Sequence, residues 1–387
     1  MMNLVPTSPP NVERLLSIRR HLHQHPELSF HEFDTASYIR GELSRLGIPW
    51  KACAGTGTVA TVGSGERCVA LRADIDALPM TEETGLPYAS LRNGVMHACG
   101  HDMHTTMLIE AARILKDKES ELPGMVMLLF QPGEEKTPGG ASLMIADGAF
   151  AEATPRFIFG QHVDPSAHVG TVSYVSGPMM AAADELFISI TGKGAHAAQP
   201  HVGRDPIVAA SGLVQHLQTL VSRRRDPLES GVLSITSIHG GTATNIIPER
   251  VDMLGTLRSF DQDWREFAWN WLEEQTTRFC SLHDCTGTIE ISKGYPPLIN
   301  DPDAVSVARQ VGVELQLDVC DFAPKMWAED FSYYGSIAPS CFWMLGVRPS
   351  DLTDMPGLHH PRFTPDESAL SLGTNLLVQT ALRALSL

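Results

Sequence analysis

Between Met96 and His104 the chain reads Met-His-Ala-Cys-Gly-His-Asp-Met-His, placing one cysteine and three histidines within nine residues. Thiolate and imidazole are ligands for soft and borderline transition metals. Cys99 and His101 flank Gly100, and two ligands either side of a glycine can fold back onto one ion where a loop enters a helix. Further on, Gln131-Pro132-Gly133-Glu134-Glu135 follows an apolar run. Adjacent residues on an extended chain point oppositely. One glutamate can therefore ligate a metal while the other faces the substrate side as a general base. His162 closes another apolar run, and His359-His360 stands just before Pro361. Each motif alone reads equally as a loop histidine or a solvated acidic turn. A rival chemistry makes Cys99 a nucleophile and His101 its base, a geometry that residues two apart on a loop seldom reach.

Elements with suitable ends must bring these residues together. Helical periodicity predicts helices at Asn11–His25, Phe33–Leu46 and Asp102–Lys116. Apolar runs predict strands at Val59–Val62, Val69–Arg72, Met125–Phe130, Phe157–Gly160 and Val169–Val175. Helix and strand alternating in this way predict an α/β fold, a sheet with helices on its faces, whose strand ends converge on one crevice. The pattern changes near Gly177-Pro178. From Asp184 the chain reads strand Leu186–Thr191, helix Ile207–Arg223, strands Val232–Ile238 and Val251–Arg258, helix Trp264–Leu282 and strand Thr288–Ser292. That βαββαβ order is ferredoxin-like and, at about 110 residues, of domain size. Helix Ala304–Leu315, strand Phe342–Leu345 and helix Asp366–Ala384 then resume the first pattern. The division expected is a main domain of residues 1–182 and 295–387 around a lid of residues 183–294. In the insert, His196 among small residues can approach a ligand closely. Asn245 can supply an amide donor, and Arg258 can pair a carboxylate bidentately. His21, His23 and His25 follow one another at spacing two on one helix, which does not put them on one face, and they stay outside the site.

Of 387 residues, 43% are hydrophobic and 19% charged, the balance of a globular enzyme. A net charge of −16 argues against nucleic acid or an anionic membrane as partner. The chain lacks an apolar run of about 18 residues, which argues against a membrane span. Met1 to Pro10 has neither the basic nor the apolar part of a secretory signal. Seven cysteines without paired spacing fit reduced thiols, and the expected location is the cytoplasm.

Together the motifs resemble the aminoacylase/hippurate hydrolase family of co-catalytic metallopeptidases, in the branch with N-acetyldiaminopimelate deacetylases and auxin-conjugate hydrolases. The resemblance runs nearly end to end. It takes in Arg20–Glu27, Leu71–Met80, the Cys99 motif, Gln131–Glu135, Gly192–His201 and Thr244–Pro248, and then Ala328-Glu329-Asp330-Phe331-Ser332 and Gly357–Pro361. It implies a zinc-peptidase-like catalytic domain, a mixed sheet flanked by helices, with the insert as a lid. It further implies two divalent transition-metal ions, zinc or manganese ahead of nickel or cobalt, held by Cys99, His101, Glu135, His162 and His359. Glu134 resembles the general base, and His359 rather than His360 takes the ligand place. Where related branches begin the site with an HxD pair, this chain has Asp74 and Asp76, left as partners of the ligands. His196 resembles a carbonyl-polarising group, and Asn245 and Arg258 resemble substrate-binding groups. Assembly as a homodimer or tetramer through the lid is also implied.

The reading reached is a metal-dependent amidohydrolase that cleaves a small N-acyl-L-amino acid to a carboxylate and a free amino acid. Its rivals are a dipeptidase or carboxypeptidase on the same scaffold and a metal-binding protein without turnover; the intact Glu134-Glu135 pair speaks against the last.

Overall fold

Asn11 caps the first helix by accepting the Arg14 N–H at 3.1 Å, and Pro26 lies two residues past its end. The structure, a computed structural model, describes residues 4–387. Its first stretch runs α1 (Val12–Gln24), α2 (Phe33–Arg45), β1 (Trp50–Cys53), β2 (Gly57–Gly63), β3 (Cys68–Asp74), α3 (His101–Asp117) and β4 (Met125–Gln131). It continues with α4 (Gly140–Ala146), β5 (Phe157–His168), β6 (Thr171–Tyr174) and β7 (Gly177–Met180). The insert follows as β8 (Ala182–Thr191), β9 (Ala195–His196), α5 (Pro206–Leu217), α6 (Thr219–Arg224), β10 (Gly231–His239) and β11 (Ile246–Ile247). Then come β12 (Arg250–Ser259), α7 (Gln262–Ser281), β13 (Thr286–Lys293) and β14 (Leu298–Asn300). The chain ends with α8 (Pro302–Glu314), β15 (Asp318–Asp321), β16 (Ser340–Arg348) and α9 (Ala369–Leu385).

Two compact units result. The first holds the chain up to Met179, together with Ile299–Pro324 and Glu329–Leu387; the second holds Met180–Leu298 and Lys325–Ala328. The sequence puts the joints at 182/183 and 294/295, and does not anticipate the short return at 325–328.

In the first unit eight strands form one mixed sheet in the order β1-β2-β4-β3-β5-β16-β6-β15. Its centre, β4-β3-β5-β16, is parallel, while β1-β2, β2-β4 and β16-β6 are antiparallel. Every residue of β3 is buried, as a parallel strand covered on both faces requires. Leu15 and Ile18 of α1, Met107 and Leu108 of α3, Val311 of α8 and Leu377 of α9 join Leu71, Leu128, Phe159 and Leu345 of the sheet in one apolar core. The parallel register sets Asp74 beside Gln131 and Met344 beside His162, so these positions share one end of the sheet.

The second unit has a four-stranded antiparallel sheet, β10-β12-β8-β13. Helices α5 and α6 join its first two strands in chain order and α7 its last two, which is the βαββαβ arrangement. Leu186, Ile188 and Ile190 alternate along β8 into a separate core with Leu213, Leu217, Met253 and Leu272. The helix expected over 207–223 is broken at Gln218, where Thr219 Oγ1 donates to the His216 carbonyl at 2.7 Å and competes with the helical ladder. Among the described residues no helix is long and apolar enough to cross a membrane.

Candidate active site

At Gly100 φ is +86°, and a Cβ there would lie 2.5 Å from Val163 Cγ2, so only glycine lets this loop cross β5 closely enough. The turn makes His101 the first residue of α3. His101 Nδ1 donates to the Asp76 carbonyl at 3.0 Å, with Asp76 Oδ1 at 3.2 Å. Its Nε2 is buried without a hydrogen-bond partner. Cys99 Sγ lies 3.4 Å from His162 Nε2, and His162 Nδ1 donates to the Val163 carbonyl at 2.8 Å. Both rings are thus turned by their Nδ1 bonds to present Nε2, the arrangement in which a metal-ligating histidine is held. His162 stands mid-strand rather than at a strand end, because β5 continues through Pro165 to His168. Pro165 is tolerated where the β16 register shifts, between Gly346 and Arg348.

His104 is spent otherwise. Its Nδ1 bonds Asp74 Oδ1 at 2.7 Å and its Nε2 accepts the Val163 N–H at 3.0 Å, so it ties β3 to β5. His97, buried with no hydrogen-bond partner on either nitrogen, belongs to none of the donor clusters among the described residues.

Glu134 and Glu135 lie in a turn, not on the extended chain that the sequence suggests. Pro132 stops β4, and Gly133 takes φ +55° where a Cβ would run into the Phe30 ring. The turn still separates the two side chains. Glu134 is buried with Glu329 and Asp330, all three carboxylates having oxygens within 4.8 Å of one another. Glu135 Oε1 instead stands 3.1 Å from His359 Nε2, and its own N–H donates to Asp76 Oδ2 at 3.0 Å. The loop carrying His359 is tied back by a hydrogen bond from its N–H to the Ala98 carbonyl at 2.9 Å. His359 takes φ +59° there, a strained conformation of the kind that clusters at functional sites. His360 Nδ1 accepts the Arg362 N–H at 3.1 Å.

Four donor sets overlap here, each within 4.8 Å: Cys99, His101 and His162; Cys99, Glu135 and His359; His101, Glu134 and Glu135; and Asp74, His101 and His104, in which Asp74 and His104 already bond each other. A thiol, imidazoles and carboxylates with an orphaned Nε2 at the centre fit borderline divalent metals. The charges around them differ sharply. Burial and the neighbouring Glu135 and Glu134 push the Cys99 thiol well above its ordinary range. Burial favours a neutral His101, but the charges of Asp74 and Asp76 outweigh it and raise the imidazole to about 10. Burial holds His162 down to about 4. Burial, followed by Glu329, Glu135 and Asp330, raises Glu134 well above the usual carboxylate range.

The sequence puts Asp74 and Asp76 beside the ligands, and the structure sets Asp76 Oδ1 3.2 Å and Asp74 Oδ2 3.6 Å from His101, but the sequence does not disclose the supports behind them. Arg72 is fully buried in β3; its Nε donates to Gln131 Oε1 at 2.8 Å and its Nη1 to Asp74 Oδ2 at 2.7 Å, while Nη2 donates to Glu329 Oε1 at 2.9 Å and Asp330 Oδ1 at 2.8 Å. On the other side Asp102 Oδ2 accepts from Arg19 Nε at 3.0 Å and His23 Nδ1 at 2.8 Å, which fixes the start of α3. A signal existed for the first: an arginine inside an otherwise apolar buried strand must be paired.

In the second unit His196, exposed on β9, pairs with Ile246 of β11. Its Nδ1 accepts the Ala198 N–H at 3.1 Å, which leaves the ring proton on Nε2. Asn245 is exposed and its carbonyl accepts the Ala197 N–H at 3.0 Å. Arg258, half-buried near the end of β12, donates from Nε to Thr256 Oγ1 at 3.2 Å.

Residues 70–383 match Peptidase family M20/M25/M40. An N-acetyl-L-cysteine deacetylase of Bacillus subtilis (strain 168) is 42% identical over 96% of this chain and 88% of its own length. IAA-amino acid hydrolase ILR1-like 4 of Arabidopsis thaliana is 38% identical over 96% of this chain and 86% of its own. The crystal structure of the Bacillus subtilis YXEP protein, described as a dinuclear metal-binding peptidase, superposes with a TM-score of 0.84 at 33% identity, covering 97% of this chain and 98% of that one.

Proposed function

The chain belongs to peptidase family M20/M25/M40 and is a hydrolase acting on amide bonds, and we propose that its substrates are N-acyl-L-amino acids. The observation that carries this reading is the division of the polar cluster. Cys99, His101, Glu135, His162 and His359 form overlapping donor sets; Glu134 joins one of these through His101 and Glu135, and it alone is also clustered with the buried carboxylates Glu329 and Asp330. We assign the first five to two divalent transition-metal ions and Glu134 to proton transfer. Deacetylases and amino acid conjugate hydrolases among the relatives support an acyl group on the substrate nitrogen.

Bound metal would supply a Lewis acid for the scissile carbonyl and lower the pKa of a water near it. Glu134 takes the proton of the attacking water and delivers it to the leaving amine. Burial beside Glu329, Glu135 and Asp330 raises its proton affinity above that of an ordinary carboxylate, which favours taking up the proton. Arg258 and Asn245 hold the substrate's carboxylate, and the Nε2–H of His196 stabilises the developing oxyanion.

A panel of N-acetyl, N-benzoyl and indole-acetyl amino acids beside free dipeptides, run on protein of measured metal content, tests this. At least one N-acyl amino acid should be cleaved with kcat/KM well above every dipeptide. A preference for dipeptides would make the chain a dipeptidase. For His196 the expected result is narrower. His196→Ala should keep fold and metal and lose about 10²–10³ of kcat with little change in KM. An unchanged kcat would remove His196 from the chemistry.

A further inference from the structure

The motif Ala328-Glu329-Asp330-Phe331-Ser332 has no part in the chemistry assigned so far, yet two of its carboxylates are buried beside Glu134. We propose that Glu329 is a positioning residue for Glu134, fixing that carboxyl in the orientation from which it exchanges protons. The inference rests on the reading of Glu134 as the base.

Asp330 is spoken for on both oxygens. Oδ1 accepts from Arg72 Nη2 and Gln131 Nε2, each at 2.8 Å, and Oδ2 accepts from Gln131 Nε2 at 2.8 Å and the Ala141 N–H at 3.0 Å. Glu329 has Oε1 held by Arg72 Nη2 and the Phe331 N–H, each at 2.9 Å. Its other oxygen, Oε2, takes neither of these bonds, and the Glu329 carboxyl comes within 4.8 Å of that of Glu134. The carboxyl doing so is rigid, because Oε1 is anchored to a fully buried guanidinium and to the first turn of the Asp330–Ser336 helix.

The cluster is not a cation site, since Arg72 already stands in it. Nor is Glu329 needed to neutralise Arg72. Asp74 at 2.7 Å and Asp330 at 2.8 Å also face that guanidinium, so Glu329 is a third carboxyl on one buried cation. Crowding a third carboxyl onto one buried cation costs stability. Local costs of this kind are kept where function requires them. A structural role and a positioning role therefore predict opposite outcomes when that carboxyl is removed.

Glu329→Gln keeps the shape and the acceptor for Arg72 and Phe331. In the metal-loaded protein it should leave Tm equal or higher, metal content unchanged and KM within about 2-fold. Its kcat should fall roughly 10- to 100-fold, the scale of a misplaced reacting group. In a Glu134→Gln background the same substitution should change the residual kcat by less than about 2-fold, because the residue acts through Glu134. Glu329→Asp keeps the charge and withdraws the carboxyl by one methylene. It should show the same fall in kcat and the same silence in the Glu134→Gln background, and it decides the matter if the amide variant does not fold. An equal fall with and without Glu134, a full kcat in Glu329→Gln, or a lowered Tm with lost metal would each overturn the proposal. Full activity in Glu134→Gln alone would overturn it differently, by removing the base that Glu329 is proposed to hold.

Discussion

Glu134→Gln is expected to retain its metal and lose roughly 10²–10⁴ of kcat, the usual worth of a general base. The two glutamates are neighbours in sequence, so any effect of bulk, turn geometry or local charge should strike both alike. Their surroundings are what differ. Glu134 is buried with Glu329 and Asp330, whereas Glu135 reaches the half-exposed His359 at 3.1 Å. Glu135→Gln should therefore weaken metal binding and lose activity through metal loss, recoverable in part by excess metal. Glu134→Gln should not recover at any metal concentration. Metal analysis of both purified variants beside their kcat values decides it. Equal metal loss in the two, or rescue of Glu134→Gln by added metal, would sink the division of labour. KM should move little in Glu134→Gln, since a proton acceptor for water contributes in the transition state rather than in substrate binding.

The legibility of this site in the sequence followed from how local its parts are. Cys99, Gly100 and His101 sit in one tight turn, and a glycine between two ligands is a signal that a single chain carries. The alternation of apolar runs and amphipathic helices likewise exposed the α/β pattern, because burial on both faces of β3 and one-sided burial of β8 leave different periodicities. What stayed hidden was geometry set by distant pairing. The turn at Glu134 depends on Gly133 packing against Phe30, about a hundred residues earlier, and an extended reading of the pair missed it. The reach of β5 past His162 depends on β16, which supplies partners out to Arg348. His104 shares the nine-residue stretch that holds Cys99 and His101. Only the register that brings Asp74 to its Nδ1 and Val163 to its Nε2 shows both nitrogens committed. Arg72 was hidden for the same reason, as three of its partners lie beyond residue 130.

Stripping the metal should abolish turnover, and reloading it near neutrality should release about two protons per chain. The count follows from Cys99, His101 and His162. In the metal-free protein Cys99 is a thiol, since burial and the charges of Glu135 and Glu134 hold it well above its ordinary value. His101 is an imidazolium, because Asp74 and Asp76 overcome burial and raise it to about 10. His162, held at about 4 by burial, is already neutral. Ligation requires a thiolate and a neutral imidazole, so Cys99 and His101 each give up a proton and His162 gives none. Apparent affinity should then weaken roughly 100-fold for each unit of pH lost between about 8 and 6, two protons contributing tenfold each. The stability of the metal-free form runs the other way with pH. A group whose folded value is raised stabilises the fold fully below its unfolded value, ~6.5 for histidine and ~8.5 for cysteine. That contribution is lost as pH rises through the folded values, about 10 for His101. Metal-free protein should accordingly lose Tm across the alkaline range while loaded protein, with both groups already deprotonated, should not. Calorimetric titration in buffers of different ionisation enthalpy counts the protons, and thermal melts across pH follow the stability. Zero net release would mean that Cys99 and His101 are not both ligands, and full turnover after verified metal loss would remove the metal from the mechanism altogether.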